Sequence, residues 1–235
     1  MNSVPDNLVW AALTGPQHDF AEIRGGAGRY RPGYSPLVAV RDFGDEQAWD
    51  DLASLAGPGA VVTLAGVGAR VPSTWTSLGG GDGYQMTASG VAAAGLDGME
   101  RLAPADVPDM LDLVERTKPG PLAPRAVELG TFLGVRREGK LVAMAGERIR
   151  VPGWTEIGTV CTDDSYRRQG LASGLVRALI GLIRARGEEA FLHVNQGNAG
   201  ALRLYEQMGF SKRATTGFLA ARVPGNRRES DRERA

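Results

Sequence analysis

The chain is organised around Tyr166-Arg167-Arg168-Gln169-Gly170-Leu171-Ala172. A strand-like run from Glu156 to Thr162 precedes this segment, and a helix-like run follows it from about Leu171 to Arg186. Apolar residues recur at every fourth position of the helix-like run and form one stripe, made of Leu171, Leu175, Leu179 and Ile183. The segment is therefore predicted to be a turn between a strand and an amphipathic helix.

This turn has the features of a phosphate-binding site. The first N–H groups of a helix have no partner within the helix, the helix dipole favours anions, and glycine lets the backbone come close to a ligand. Arg167 and Arg168 add two positive charges beside Gly170. We expect the turn to bind a ligand that carries a diphosphate. The alternative is an ordinary solvated turn, because glycine is common between a strand and a helix.

A second pattern follows along the chain. Residues 190–194 read as another strand, and a short helix is then predicted between Asn198, a good N-cap residue, and Gly209, a good residue just past a helix end. One face of this helix would carry Ala201, Leu202, Tyr205 and Met208.

Together these residues resemble the acyl-CoA-binding core of the GNAT superfamily of N-acetyltransferases. Arg167-x-x-Gly170-x-Ala172 is similar to the pyrophosphate loop of that family, and the series Asn198, Ala201, Tyr205, Gly209-Phe210 is similar to its second signature. The resemblance covers roughly residues 99–222, about half of the chain. It implies an α/β fold with a GNAT-type mixed sheet and helices on both faces. Two central strands, at about 156–162 and 190–194, would separate and leave a cleft.

Small residues without periodicity at 92–95 predict a boundary between two halves. We expect a smaller α/β N-terminal domain over residues 1–95, with the hypothesis that it is a degenerate GNAT-like copy. The GNAT domain would span residues 96–223. Residues 224–235 are predicted to be a disordered tail, because they are mostly charged and lack apolar anchors.

The other predicted elements follow from periodicity and turn residues. In the second half they are a strand at 99–102, a helix at 106–116, a Pro-rich loop at 117–125, strands at 131–135 and 141–145, and two last strands at 210–214 and 218–222. In the first half they are a helix at 46–55 and strands at 61–65 and 84–87. Gly81-Asp82-Gly83 is interpreted as a hairpin connection.

Composition excludes several classes of protein. The 235 residues are 43% hydrophobic and 23% charged, as in an ordinary globular protein, and 27 basic residues balance 27 acidic ones. This balance predicts no nucleic-acid partner, and no apolar run reaches the roughly 20 residues of a membrane span. One cysteine and two histidines predict neither a disulfide nor a metal site. No signal peptide is evident, so a cytoplasmic protein is expected.

The resemblance implies acetyl-CoA as co-substrate. Main-chain N–H groups of Val160 and Thr162 would bind its pantetheine arm and polarise the thioester carbonyl. The residues expected to bind it are Val160, Cys161, Thr162, Arg167, Arg168, Gln169, Gly170, Leu171, Ala172, Ser173 and Asn198.

Two catalytic residues are implied by the same resemblance. Tyr205 is the candidate general acid, because a phenol is protonated at neutral pH; the alternative is a packed core ring. Glu156 is the candidate base, directly or through water, with a solvated carboxylate as the alternative and Glu147 as a rival base. His193 is expected to be packed or hydrogen-bonded rather than catalytic, and Cys161 to be a small buried hydrophobe rather than a nucleophile.

The sequence thus predicts an enzyme that transfers acetyl from acetyl-CoA to a primary amine by direct attack in a ternary complex. The acceptor would be a small molecule or a peptide, in a cleft that draws on residues 117–125 and on the N-terminal half. Two alternatives stay open. One is a non-catalytic acyl-CoA-sensing or partner-binding domain of the same fold, and the other is an amino-acid N-acyltransferase that uses a longer acyl-CoA.

Overall fold

The computed structural model describes residues 4–95 and 97–225, so residues 226–235 of the predicted tail lie outside it. The α-helices are α1 (Leu8–Leu13), α2 (Glu46–Ala56), α3 (Val107–Thr117), α4 (Leu171–Ala185) and α5 (Ala199–Met208). The strands are β1 (Ala21–Arg24), β2 (Ala27–Tyr30), β3 (Leu37–Val40), β4 (Val61–Gly66), β5 (Thr76–Thr87), β6 (Met99–Leu102), β7 (Phe132–Arg137), β8 (Lys140–Val151), β9 (Trp154–Thr162), β10 (Glu189–Asn195) and β11 (Ser211–Arg222).

The strands form one mixed sheet in the order β1-β2-β3-β4-β11-β5-β10-β9-β8-β7-β6. Most neighbours are antiparallel, while β9 pairs with β10 and β3 pairs with β4 in parallel. The predicted order of elements in the second half is confirmed, from β6 and α3 to α5 and β11. The GNAT-type mixed sheet predicted from the sequence is therefore present.

Helices cover both faces of the sheet. Phe132 of β7 packs in a cluster with Met110 and Leu113 of α3. The next residue, Leu133, packs in a different cluster with Leu175 of α4. Because successive side chains of a strand point to opposite faces, α3 and α4 lie on opposite sides of the sheet.

The strands β9 and β10 separate as predicted. They pair in parallel only from Trp154↔Glu189 to Ile157↔Leu192. Beyond this point the backbone of β9 is irregular, because Thr159 has a φ of 51°. A positive φ is rare for a β-branched residue, and such strain concentrates at functional sites. The separation opens a cleft beside residues 158–162.

The hairpin connection predicted at Gly81-Asp82-Gly83 is wrong. These residues lie inside β5, which runs from Thr76 to Thr87 and pairs with β11. The glycines serve close packing instead of a turn: a Cβ on Gly80 would lie 2.1 Å from the carbonyl oxygen of Phe218 in β11. Glycine in a strand often marks such a close approach of another backbone.

The two last strands predicted at 210–214 and 218–222 are one strand, β11. Thr215 and Thr216 stay extended because they pair with Tyr84 and Gly83 of β5. From Gly217 onward β11 also pairs with β4. Partners on both sides satisfy the backbone groups of this segment, so no turn forms there.

The N-terminal half contributes elements that the sequence patterns did not reveal, namely α1 and β1–β3. Each of these strands has four residues, and all four residues of β3 are buried, so no alternation marks it. The half joins the rest through β4, which pairs with β11, and through β5, which pairs with β10 and β11. The proposed division near residue 95 stays a prediction.

Candidate functional site

A cavity of about 550 Å³ lies where β9 has separated from β10, between the end of β9 and the starts of α4 and α5. Eleven of the thirteen predicted site residues line it: Val160, Cys161, Thr162, Arg167, Arg168, Gly170, Leu171, Ala172, Ser173, Asn198 and Tyr205. Gln169 and Glu156 are not among the lining residues. The fold thus brings the two sequence signatures to one place.

The main chain of β9 offers free donors to this cavity. Asp163 N–H donates to the carbonyl of Val142 in β8 at 2.8 Å, and Cys161 pairs with Met144 of the same strand. Because N–H groups alternate in direction along a strand, those of Val160 and Thr162 point away from β8 and toward the cleft. These are the donors expected for a pantetheine arm.

The turn before α4 presents its backbone to the same cavity. Arg168 and Gly170 both have left-handed backbone conformations, with φ of 62° and 79°. When right-handed and left-handed backbone conformations follow each other, their N–H groups can point into one concavity that binds anions. Gly170 is the N-cap of α4 and contributes no side-chain cap, so the first N–H groups of the helix stay available.

The residues present suit a diphosphate-bearing ligand with an amide-containing arm. Thr162 Oγ1 is buried and has no hydrogen-bond partner among the described residues, although Thr162 lines the cavity. Burying a hydroxyl oxygen without a hydrogen-bond partner costs free energy, unless a ligand or a water molecule bonds to it. Arg167 keeps a side chain 58% exposed while it pairs with Asp164 at 2.7 Å, so its charge remains near the turn. These donors suit coenzyme A.

Tyr205 lies on α5 with its ring 5.4 Å from that of Phe210. Burial raises the pKa of its phenol to about 12, so the hydroxyl is protonated at neutral pH. No hydrogen bond to its hydroxyl occurs within residues 4–95 and 97–225, yet Tyr205 lines the cavity. Asn198 caps α5 by accepting from Ala201 N–H at 3.0 Å.

Cys161 also lines the cavity, but its side chain packs with Met110, Leu141 and Met144. Burial raises the pKa of the thiol to about 11. A thiol that stays protonated is a poor nucleophile, which agrees with the expected role as a small hydrophobe.

Glu156 is fully buried and is held by two side chains. Arg148 donates to it through Nε and Nη2, and His193 Nδ1 lies 2.7 Å from its Oε1. Burial by itself would raise the pKa of Glu156, but Arg148 and His193 reverse this and hold the pKa below its usual range. A base works best with a pKa near the operating pH. The catalytic role of Glu156 stays a prediction, and its contacts are those of a structural ion pair.

A smaller cavity, of about 240 Å³, is lined in part by residues next in sequence to those of the first. Thr159 lines the smaller cavity and Val160 the larger one. The rival base Glu147 lines the smaller cavity, as do Tyr34 and Leu37 of the N-terminal half. These N-terminal residues were missed from the sequence, since no motif there matched a known signature.

Two further searches cover the described residues only. Between residues 4 and 225, leaving out 96, no cluster of three or more His, Cys, Asp or Glu side chains is placed to bind a metal ion. In the same part of the chain, no helix combines the length and apolar character that crossing a membrane requires.

Comparison with known proteins extends these observations. Residues 132–219 match the family described as FR47-like protein. A solved structure from Novosphingobium aromaticivorans, described as an acetyltransferase of the GNAT family, is 36% identical to this chain with a TM-score of 0.85. The match covers 94% of this chain and 98% of that one, so it includes the N-terminal half.

Two curated relatives match shorter segments. Mycothiol acetyltransferase of Thermomonospora curvata is 40% identical over 88 residues, which are 36% of this chain and 29% of that protein. N-alpha-acetyltransferase RimI of Mycobacterium tuberculosis is 36% identical over 84 residues, 34% of this chain and 52% of that protein. The chain thus spans about half or less of the length of these curated relatives. Taken with the full-length match and the fold, the comparisons show that this chain belongs to the GNAT family of acetyltransferases.

Proposed function

We propose that the chain transfers an acetyl group from acetyl-CoA to a primary amine by direct attack in a ternary complex. The observation that carries the proposal is the convergence of three groups on the 550 Å³ cavity. They are the free N–H groups of Val160 and Thr162, the left-handed turn at Arg168 and Gly170, and the protonated phenol of Tyr205.

The turn would hold the diphosphate. Backbone N–H groups at the start of α4 donate to phosphate oxygens, and the helix dipole favours their negative charge. Arg167 and Arg168 add charge that orients the same group. The N–H groups of Val160 and Thr162 would bind the arm as an added strand, at the edge that β9 leaves unpaired.

When bound, acetyl-CoA supplies the thioester whose carbonyl carbon the amine attacks. The N–H of Val160 would donate to the carbonyl oxygen as negative charge develops there. Tyr205 would give its phenolic proton to the departing sulfur, because its raised pKa keeps that proton in place until a thiolate forms. The rival base Glu147, which lines the smaller cavity, would remove a proton from the amine, directly or through water; the predicted base Glu156 lines neither cavity and would have to act through water.

One curated relative is named a mycothiol acetyltransferase and the other an N-alpha-acetyltransferase, so their names do not point to a single acceptor class. At this level the proposal covers a small-molecule amine and a peptide amine alike. It predicts transfer to nitrogen without an acyl-enzyme, since the Cys161 thiol is buried and protonated.

Two measurements test the proposal. Isothermal calorimetry should detect acetyl-CoA binding, and release of free thiol from acetyl-CoA should require an added amine. Binding without thiol release for any amine would instead favour an acyl-CoA-sensing domain. A strong preference for a longer acyl-CoA would favour acylation with a longer chain. Absence of binding at millimolar acetyl-CoA would remove the proposal.

A further inference from the structure

The smaller cavity lies between the two halves of the chain. Leu37 of β3 and Thr63 of β4 form its N-terminal side, and Leu122, Phe132 and Phe218 belong to the other side. Residues adjacent or nearly adjacent in the sequence line the two cavities at two places. Val160 and Pro119 line the larger cavity, whereas Thr159 and Pro121 line the smaller one. Under the proposed function, an amine in the smaller cavity would approach the thioester from the Thr159 side of β9.

We infer that this cavity binds the acceptor, and that the acceptor is a small primary amine with a compact, uncharged, apolar body. The inference rests on the proposed function, because it names the substrate class of the same site. Three observations carry it: the size of the cavity, the way its wall is fixed, and the pairing of its charges.

The size suits a small molecule. A volume of about 240 Å³ is below the range of about 300–1,000 Å³ found for drug-sized ligands. One aromatic ring or a branched aliphatic chain with its amine fills such a space. A polypeptide needs a groove that continues past its terminal residue.

Contacts between the two halves fix the wall of the cavity. Arg125 N–H donates to the carbonyl of Gly33 at 2.8 Å, and the Arg125 guanidinium lies 4.2 Å from the centre of the Tyr34 ring. The Tyr34 hydroxyl donates to Glu128 Oε2 at 3.2 Å. These contacts join residues 33–34 to residues 125–128, and Tyr34 and Ala126 from these two segments both line the cavity, so this part of its wall is held in place by both halves of the chain.

The charged groups in the wall are already paired. Glu147 Oε1 accepts from Arg186 at 2.9 Å, and its Oε2 accepts from Thr131 N–H at 3.2 Å. Arg148 is paired with Glu156 through two hydrogen bonds. A charged acceptor body would therefore find no unmatched counter-charge from these groups.

The test compares amines that share a body and differ in charge. The panel is 2-phenylethylamine, phenylalanine, spermidine and an alanyl tetrapeptide, with thiol release from acetyl-CoA as the readout. Phenylalanine adds only a carboxylate to 2-phenylethylamine. We expect kcat/KM for 2-phenylethylamine to exceed each of the others by at least about tenfold. Preference for the peptide, for spermidine or for phenylalanine would overturn the inference.

A matched pair of variants locates the binding site. Leu122→Trp fills the cavity, whereas Leu182→Trp makes the same change at a side chain that is 43% exposed on α4. The first should raise KM for 2-phenylethylamine at least about tenfold with little change in acetyl-CoA affinity, and the second should leave both unchanged. Equal values for the two variants would contradict the location. If Leu122→Trp does not fold, the amine panel on the unchanged chain still decides the inference.

Direct binding measurements distinguish a failure of the amine-binding inference from a failure of the proposed acetyl-CoA binding. Calorimetry is done with 2-phenylethylamine on the protein–CoA complex and, separately, with acetyl-CoA alone. If acetyl-CoA binds and the amine does not bind below about 10 mM, the inference fails while the proposed coenzyme site stands. If acetyl-CoA does not bind, the proposed function itself fails.

Discussion

Arg148 and Glu156 form a two-pronged ion pair between the neighbouring strands β8 and β9. Arg148 Nε donates to Oε2 of Glu156 at 3.0 Å, and Nη2 donates to Oε1 at 2.5 Å. The Glu156 side chain is completely buried, whereas that of Arg148 is 29% exposed and lines the smaller cavity. The pair therefore links the inside of the sheet to the wall of the smaller cavity.

Glu156→Gln should lower the free energy of unfolding by about 3 kcal/mol at pH 7, because it leaves Arg148 without its counter-charge. The pKa of Glu156 is lowered from 4.5 to about 2 in the folded chain. Its stabilising contribution is thus complete above about pH 4.5 and is lost as the pH falls toward about 2. Urea unfolding at several pH values measures both effects. Glu206→Gln, at an exposed pair with Lys212, is the control and should change stability by less than about 1 kcal/mol.

The same variant tests the base assignment. Because Glu156 has a low pKa and lines neither cavity, we expect the low-pH limb of kcat/KM to keep its position in Glu156→Gln. KM for the amine should rise instead, since Arg148 loses the group that positions it. The pH profile of kcat/KM decides the matter, and loss of the low-pH limb in this variant would assign Glu156 as the base after all.

Tyr205→Phe should lower kcat by roughly 10²- to 10⁴-fold, because the departing thiolate loses its proton donor. Acetyl-CoA affinity should stay nearly constant. Since the pKa of Tyr205 is raised to about 12, no alkaline limb caused by this phenol is expected in kcat/KM below about pH 11. Steady-state kinetics from pH 6 to about pH 10 check this. Tyr84→Phe removes a hydroxyl outside both cavities and is the control; equal kcat values in the two variants would exclude the acid role.

Arg167→Ala combined with Arg168→Ala should weaken acetyl-CoA binding by about 10- to 100-fold, because two positive charges leave the turn that faces the diphosphate. The loss should shrink at high salt, where charges are screened. Calorimetry at two salt concentrations measures it. Arg24→Ala combined with Arg31→Ala removes the same charge from exposed positions of the N-terminal half. An equal effect of both double variants would mean that net charge, not the turn, controls binding.

Gly80→Ala should destabilise the chain by about 2–3 kcal/mol, because its Cβ would lie 2.1 Å from the main-chain oxygen of Phe218. The neighbouring Gly81→Ala places a Cβ no closer than 3.5 Å to Asn195 Nδ2 and should cost less than about 1 kcal/mol. Thermal and urea unfolding of both variants compare them. Similar stabilities would show that β5 and β11 do not approach as closely as described.

Local signals in the sequence were sufficient to predict the segments that line the larger cavity. The apolar stripe of α4, the N-cap Asn198 and the left-handed Gly209 are properties of short segments, and each occurs where it was predicted. The same holds for the Pro-rich segment after α3, which contains no strand or α-helix. Such features can be predicted without the tertiary structure, because they depend on residues within one or two helical turns of each other.

Only the tertiary structure decided the rest. Gly81 and Thr216 sit in long strands because β11 runs beside β5, and no residue near them in sequence reports that neighbour. Glu156 became a buried ion-paired group because Arg148 of β8 and His193 of β10 flank it. The smaller cavity is lined by Tyr34 and Ala126, which belong to segments far apart in the sequence that the contact between Arg125 and Tyr34 joins. The sequence alone thus determined which local segments line the larger cavity, whereas pairing between distant strands, which carries no local pattern, decided the lining of the smaller one.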